Sequence, residues 1–405
     1  MSDNLRKNTW ETDSWYAQYV AGTAIYKTPS AQQGLYWWGK NTDGVGGLNQ
    51  TSTGNYSSPV QVSAVDVWDR VSSGSYAMGW IKDDGTLWVT GRNSPGGILG
   101  LNDNDTNQRY SSPVQVGTNT NWGSIFFGRH GAAAVKTDGT LWTWGNNPDG
   151  MLGHNQPTGT TYSSPKQVGT NTTWSTVVGH LDGGFTRFGG IKTDGTLWNW
   201  GNNSYGQLGL NEGPNAYRSS PTQVPGTYTR LTGLGGANTS AIKTDGTLWV
   251  WGHSNQGNMG LNETGIPAPR SSPTQVPGSY AEIWSGGLLS TIAIKTDGTM
   301  WSWGDNENGE LGLNVGGPYQ GDTSSPAQVG TDTDWERVRG NGRVYMASKT
   351  DKSLYAWGKN LNGQTGTNIK SPGVSSPTQI PGNWTIANWT STAYNSAYGA
   401  AFKVE

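Results

Sequence analysis

Four histidines, His130, His154, His180 and His253, are the residues of this 405-residue chain best suited to proton transfer or metal ligation near neutral pH. A zinc site or a general-base site needs several such groups converging on one point. These four fall one to a repeat unit and read as isolated structural or surface histidines. A recurring aspartate, at Asp84, Asp138, Asp194, Asp245, Asp297 and Asp351, is the second candidate. Five of the six precede Gly, and a hairpin turn explains them better than acid–base work, because Asp tolerates that turn and bonds its own backbone. Two oxygen-rich stretches, Asn102–Asn107 and Asp305–Glu310, resemble Ca²⁺ loops. Neither has the full spacing and terminal bidentate Glu of an EF-hand. No Gly-x-Ser-x-Gly elbow, phosphate-binding Gly-x-x-x-x-Gly-Lys-Ser/Thr loop or His-Glu-x-x-His occurs. The expectation is a protein without catalytic residues, metal or cofactor, and not an enzyme.

Composition narrows the class further. The formal charge of −2 supplies no basic field for nucleic acid, and zero cysteines exclude disulfides and thiolate sites. The first twenty residues carry no apolar run of the signal-peptide kind, and no stretch has the length of a membrane span. The sequence predicts a chain in the cytoplasm or on a virion, without nucleic-acid binding or membrane insertion. Trp outnumbers Phe by 22 to 5, and the excess is periodic.

Ser-Ser-Pro occurs seven times, beginning at Ser57, Ser111, Ser163, Ser219, Ser271, Ser324 and Ser375. In phase with it run Asp-Gly-Thr-Leu-Trp and a glycine after an aromatic strand, at Gly39, Gly91, Gly145, Gly201, Gly252, Gly304 and Gly358. Each copy reads as four short strands. An aromatic followed by an aliphatic three residues on (Trp122 and Ile125) opens the first. A small-residue strand such as Ala132–Lys136 follows, then a hairpin with Asp-Gly turn chemistry. The third strand places Trp142 and Trp144 on one face, and Ser-Ser-Pro opens the fourth, with Pro at the strand entrance. Such a sheet must stack on a neighbour. The predicted fold class is all-β, a seven-bladed β-propeller of four-stranded antiparallel blades. A split blade closes the ring by combining N- and C-terminal strands, because the repeats open at Leu35–Gly39 and stop at Ala400–Val404. Residues 35–405 are the propeller and residues 1–34 an N-terminal arm.

Trp198-Asn199-Trp200-Gly201-Asn202-Asn203-Ser204-Tyr205-Gly206-Gln207-Leu208-Gly209 resembles the repeat family named after the regulator of chromosome condensation, which shows Leu-Trp-x-Trp-Gly-x-Asn and then Gly-Gln-Leu-Gly. Gly304, Gly309, Leu311 and Gly312 fit the same pattern. The family's second-strand histidine has loose counterparts at His130 and His180, and Ser-Ser-Pro is a departure from its pattern. The resemblance implies the propeller fold. Its implications for function are broad, since the family includes GTPase exchange factors, ubiquitin-ligase modules, a secreted β-lactamase inhibitor and virus-encoded proteins.

The segments before each Ser-Ser-Pro vary in length and sequence while their flanks hold, so one face should carry seven variable loops. Tyr56, Arg109, Tyr110, Tyr162, Tyr217, Arg218, Arg270 and Tyr319 dot those loops, and Tyr and Arg are common interface anchors. Trp10, Trp15 and Tyr16 in the arm should dock on a partner subunit. The function expected is that of a structural and binding protein, a phage virion component (decoration, fibre-associated or host-contacting) whose partners are other virion proteins, or a host-surface protein or glycan. The alternative is a free module, either a protein inhibitor or a glycan-binding propeller.

Overall fold

The computed structural model describes residues 34–403, apart from 51–54, 63–67, 157, 180–185, 214, 233–235, 264–267, 287–289, 316–320, 341–342, 370, 386–387 and 392–397. The arm and its Trp10, Trp15 and Tyr16 lie outside the described residues, as does Tyr319. The third repeat shows the common plan. Strands Trp122–Phe127, Gly131–Lys136, Leu141–Asn146 and Thr161–Gln167 pair antiparallel in that order, from inner to outer. Both faces are covered: in the third strand Leu141, Thr143 and Trp144 are buried and Trp142 is half-buried.

Seven such sheets follow in chain order. The second blade spans Trp68–Ser73 to Arg109–Gln115 and the seventh Trp335–Gly340 to Gly373–Ile380. Between the fourth and sixth blades the strands run on without a break: Arg218–Leu231 and Arg270–Gly286 each serve as the outer strand of one blade and the inner strand of the next. The reason is local. There the link shortens to Val224-Pro225-Gly226 and Val276-Pro277-Gly278, where the third blade has the longer Val116–Asn121. Tyr228 and Tyr280 then replace the inner-strand Trp, and each donates its hydroxyl to the carbonyl of Pro225 or Pro277, at 3.0 Å in both cases. The first blade joins chain ends: Leu35–Lys40 pairs antiparallel with Tyr398–Lys403, which pairs with Trp384–Thr385. One further pairing was not legible in the repeat pattern: Asn388–Ser391 runs parallel to Trp68–Ser73 of the second blade.

Two expectations are corrected. Proline does not mark the entrance of the outer strand. The strand starts earlier, and Pro165 sits within Thr161–Gln167 where the register shifts between Tyr162 and Lys166. As an outermost strand it can lose one N–H there without breaking a ladder. His130 and His154 do not occupy different blades; both belong to the third, flanking its second and third strands.

The blades are fastened to one another by two repeated contacts. The second Trp of the third strand is fully buried and donates its indole N–H to a loop carbonyl of the preceding blade. Trp38 reaches Gln364, Trp144 Ile98, Trp200 Met151, Trp251 Gln207, Trp303 Asn258 and Trp357 Glu310, at 2.8–3.0 Å. Its ring lies against a glycine of that loop; a Cβ at Gly209 would stand 2.7 Å from Trp251 Nε1, so no other residue fits. The second contact explains Ser-Ser-Pro. An Asn with positive φ in each loop donates its backbone N–H to the carbonyl of a serine in the next blade: Asn49 to Ser111, Asn102 to Ser163, Asn155 to Ser219, Asn211 to Ser271, Asn262 to Ser324, Asn314 to Ser375 and Asn368 to Ser57. Six of the seven asparagines also accept a serine hydroxyl, as Asn211 does from Ser272 at 2.8 Å.

The second blade departs from this scheme and compensates. Thr90 stands where the other blades have the buried Trp, and its hydroxyl bonds Val45 O at 2.9 Å. The missing ring is supplied by Trp80 of the neighbouring strand, also fully buried, whose edge lies against Gly47.

Candidate functional site: the loop face

Because consecutive strands alternate in direction, the loops joining first to second strand and third to fourth open at one end of every blade. The Asp-Gly hairpins lie at the other. That other end is built for structure. Asp138 Oδ1 accepts the Thr140 N–H at 2.9 Å and its hydroxyl at 2.6 Å, and Thr140 Oγ1 accepts the Trp142 indole at 2.8 Å. The same relay recurs from Asp84, Asp194, Asp245 and Asp297. The threonine hydroxyl and amide hold the Asp138, Asp194, Asp245 and Asp297 carboxyls below their ordinary value. These acids are ionised turn anchors, unsuited to proton transfer at neutral pH.

A lysine completes each turn. Lys136 Nζ lies 4.8 Å from the Trp122 ring centre and 4.1 Å from that of Trp142, between an inner-strand and a third-strand aromatic. Lys82, Lys192, Lys243 and Lys295 repeat the arrangement. Each such cation–π contact contributes about 0.5–1 kcal/mol when partly exposed. The sequence shows this lysine two residues before Asp84, Asp138, Asp194, Asp245 and Asp297, a spacing whose aromatic partners the chain alone does not reveal. With lysine over the half-buried Trp and the other Trp at 0% exposure, these third-strand tryptophans form no open platform for a sugar.

The remaining chemical candidates also resolve into structure. His154 Nε2 lies 2.9 Å from Thr143 Oγ1, and its ring meets Tyr162 edge-on. Burial, and after it the charge of Lys166, holds the imidazole down to about 4. Burial also lowers His130 and His253, and His180 lies outside the described residues. In Asn102–Asn107 the carboxylates of Asp103 and Asp105 accept backbone N–H groups two residues on, at 2.8 and 2.9 Å. In Asp305–Glu310, Glu310 accepts from Asn308, and Arg343 pairs with Glu307. Among the described residues no group of three or more His, Asp or Glu could hold a metal ion.

The loop residues singled out from sequence are tied into the fold in different ways. Tyr56, Tyr110 and Tyr162 are half-buried and pack against core clusters. Tyr56 meets Trp37 edge-on and donates to Gln50. Arg109 pairs across the blade boundary with Asp43 at 2.7 Å, Arg218 with Glu212 and Arg270 with Glu263. Among the described tyrosines of the set, Tyr217 is the most open, at 43% exposure, its hydroxyl near Ser204 Oγ. Of the strongest feature of this face, sequence reasoning named Tyr217 and missed the rest. The exposed large apolar side chains among the described residues are Tyr217, Val315, Leu361 and Ile369, and all four lie on third-to-fourth-strand loops. Leu361 and Ile369 line a groove of about 400 Å³ with Ser57 and Pro372. The signal was available: Leu361 stands where equivalent loops carry Ser204 and Glu307.

Residues 194–232 and 285–310 match the regulator of chromosome condensation (RCC1) repeat. The chain is 26% identical to the ultraviolet-B receptor UVR8 of Arabidopsis thaliana over 340 residues, covering 81% of this chain and 73% of the receptor. It is 29% identical to the human E3 ubiquitin-protein ligase HERC2 over 195 residues, covering 45% of this chain and 4% of that protein. Among solved structures, yeast RCC1 (Prp20) superposes with a TM-score of 0.76 at 16% identity over 93% of this chain and 90% of that one. Human WBSCR16 does so with a TM-score of 0.75 at 17% identity, over 92% and 98%. These superpositions show the RCC1-type propeller fold.

Proposed function

We propose that this propeller of RCC1-type repeats is a non-enzymatic binding module that holds a protein partner on its loop face. The observation that carries the reading is that, among the described residues, the exposed large apolar side chains are confined to those loops. Val315 belongs to the sixth blade and Leu361 and Ile369 to the seventh, so neighbouring loops combine apolar surface with the ion-paired Arg343 and Glu307. An apolar core with a polar rim is the composition of a protein interface. The kinds of protein named among the comparisons, a receptor and a ubiquitin ligase, are compatible with a binding role and carry no partner over to this chain.

The narrower setting is a phage virion, in which the module would be a decoration or fibre-associated part anchored by residues 1–34. Its support is confined to the sequence: the lack of catalytic motifs and the aromatic arm. Photo-crosslinking from positions 361 and 369 in the native source, followed by mass spectrometry, tests the loop-face reading. One dominant protein should be captured from these positions and not from position 193 on the opposite end. Equal capture from both ends, or none, would overturn it. Detection of the chain in purified particles, and its loss from them on removal of residues 2–30, tests the virion setting.

A further inference from the structure

The inner strands of six blades enclose a cavity of about 290 Å³ at the centre of the propeller. Its wall is apolar in part, from Ile125, Val177, Leu231 and Ile283, but its charges are unbalanced. Three arginines, Arg70, Arg230 and Arg339, line it with one acidic residue, Glu282. Glu282 is buried and shared: Arg339 Nη1 donates to it at 2.7 Å, and Arg230 Nη2 lies 3.2 Å away. One carboxylate cannot neutralise both. Arg70 has Asp69 at 3.2 Å, yet both of those side chains are open to solvent and the pair is screened. A fourth arginine, Arg337, stands at the register position of Arg70 and Arg230 on the seventh blade's inner strand. The hydroxyl oxygen of Ser124, on the cavity wall, is buried without a hydrogen-bond partner.

Positive charge concentrated in a narrow, partly apolar cavity is costly unless an anion shares it. The excess is local, since the whole chain carries a formal charge of −2. Guanidinium forks match the oxygens of a phosphate and bind it in bidentate fashion, and a phosphate ester brings close to two negative charges at neutral pH. We infer that the central cavity is a phosphoryl-binding site, in which Arg70, Arg230 and Arg339 hold the phosphate oxygens and Ser124 supplies a hydroxyl donor. The cavity volume, at the lower end of the roughly 300–1,000 Å³ of small-molecule sites, suits a phosphate with a short substituent. The phosphoryl group reaches the cavity either as a free small phosphate ester or as the phosphorylated side chain of a partner protein. The site shares no residue with the apolar groove of the loop face, and the two readings stand or fall separately.

Titration calorimetry of the full chain with inorganic phosphate, at constant ionic strength against sodium chloride, tests the site. One phosphate should bind per chain and raise the melting temperature. Arg70→Gln and Arg230→Gln, both at partly exposed positions, should each weaken binding about tenfold, the scale of one lost charge-assisted hydrogen bond. Lys352→Gln, on a distant hairpin, should leave it unchanged. A phosphoserine hexapeptide that binds at least as tightly as inorganic phosphate assigns the side-chain source. Binding of glycerol phosphate without binding of that peptide assigns the free ester. No binding beyond the chloride control, or unchanged affinity in both arginine variants, would refute the site.

Discussion

Replacing the buried third-strand tryptophans by phenylalanine should separate them into two classes, because the carbonyls they bond are satisfied differently. Trp200 Nε1 donates to Met151 O, and among the described residues no other donor reaches that oxygen. Trp251 Nε1 donates to Gln207 O, which also receives the Thr239 hydroxyl at 2.8 Å. Trp303 resembles Trp251, since Asn258 O takes Thr291 Oγ1 as well. The difference traces to the strand alongside: Thr239 lies opposite Trp251, whereas Phe188 lies opposite Trp200 and Ala132 opposite Trp144. Shrinking indole to phenyl should cost about 1–2 kcal/mol at every site, below the range of about 3–5 kcal/mol for truncation to Ala. At Trp200 and Trp144 the variant also strands a buried carbonyl, adding about 1–3 kcal/mol. Trp200→Phe should therefore cost about 2–5 kcal/mol and Trp251→Phe about 1–2 kcal/mol. Urea denaturation followed by circular dichroism gives these differences directly, provided the slope of the transition is unchanged. Equal losses at Trp200 and Trp251 would refute the assignment of the threonine as a second donor. Near-neutral Ala variants at Trp144, Trp200 and Trp251 would refute burial itself.

Thr90→Trp should destabilise the second blade by about 1–3 kcal/mol, although it restores the residue found in the other blades, because Trp80 already fills the space against Gly47; a stabilised variant in the same denaturation assay would contradict this. Deleting Ser396–Glu405 removes the partner of Leu35–Lys40 and exposes a strand edge in the first blade. The truncated protein should lose its cooperative melting or aggregate, and an unaltered calorimetric transition would count against the split blade. Acidification should destabilise the fold between pH 6.5 and about 4: His154 titrates near 4 in the fold but at its ordinary value when unfolded, so the unfolded chain takes up the proton first. Melting temperatures measured across that window should fall less steeply in His154→Gln; an identical slope would remove His154 from the account.

Blade count and strand order were legible because they depend on residues that recur within each repeat. Asp138, Thr140 and Trp142 are spaced two apart on one hairpin, and their turn chemistry is local enough to read from the chain. What joins the blades was not legible in the same way. Ser272 is explained by Asn211, one repeat earlier, and neither residue suggests the other until the sheets are stacked. The same holds for Trp80 and Thr90, which look like two unrelated departures until one ring is seen to replace another. The central cavity was furthest from view. Arg70, Arg230 and Arg339 sit on three separate inner strands, and only the ring brings them to one cavity, where Arg230 and Arg339 share Glu282.

The fastening of Asn to Ser also bears on how such a chain can change. Every variable loop leaves from a third strand whose end is secured by the preceding blade, and it returns at a serine secured by that blade's Asn. The residues between each loop's own Asn and that serine thus span two anchored points and, the Arg109–Asp43 pair apart, take no part in these fastenings. Lengthening a loop between fixed ends adds a penalty that grows only with the logarithm of its length. A lineage, or an engineer, can therefore exchange one loop for a foreign peptide without renegotiating the other six, and seven independent graft sites stand around a single rim.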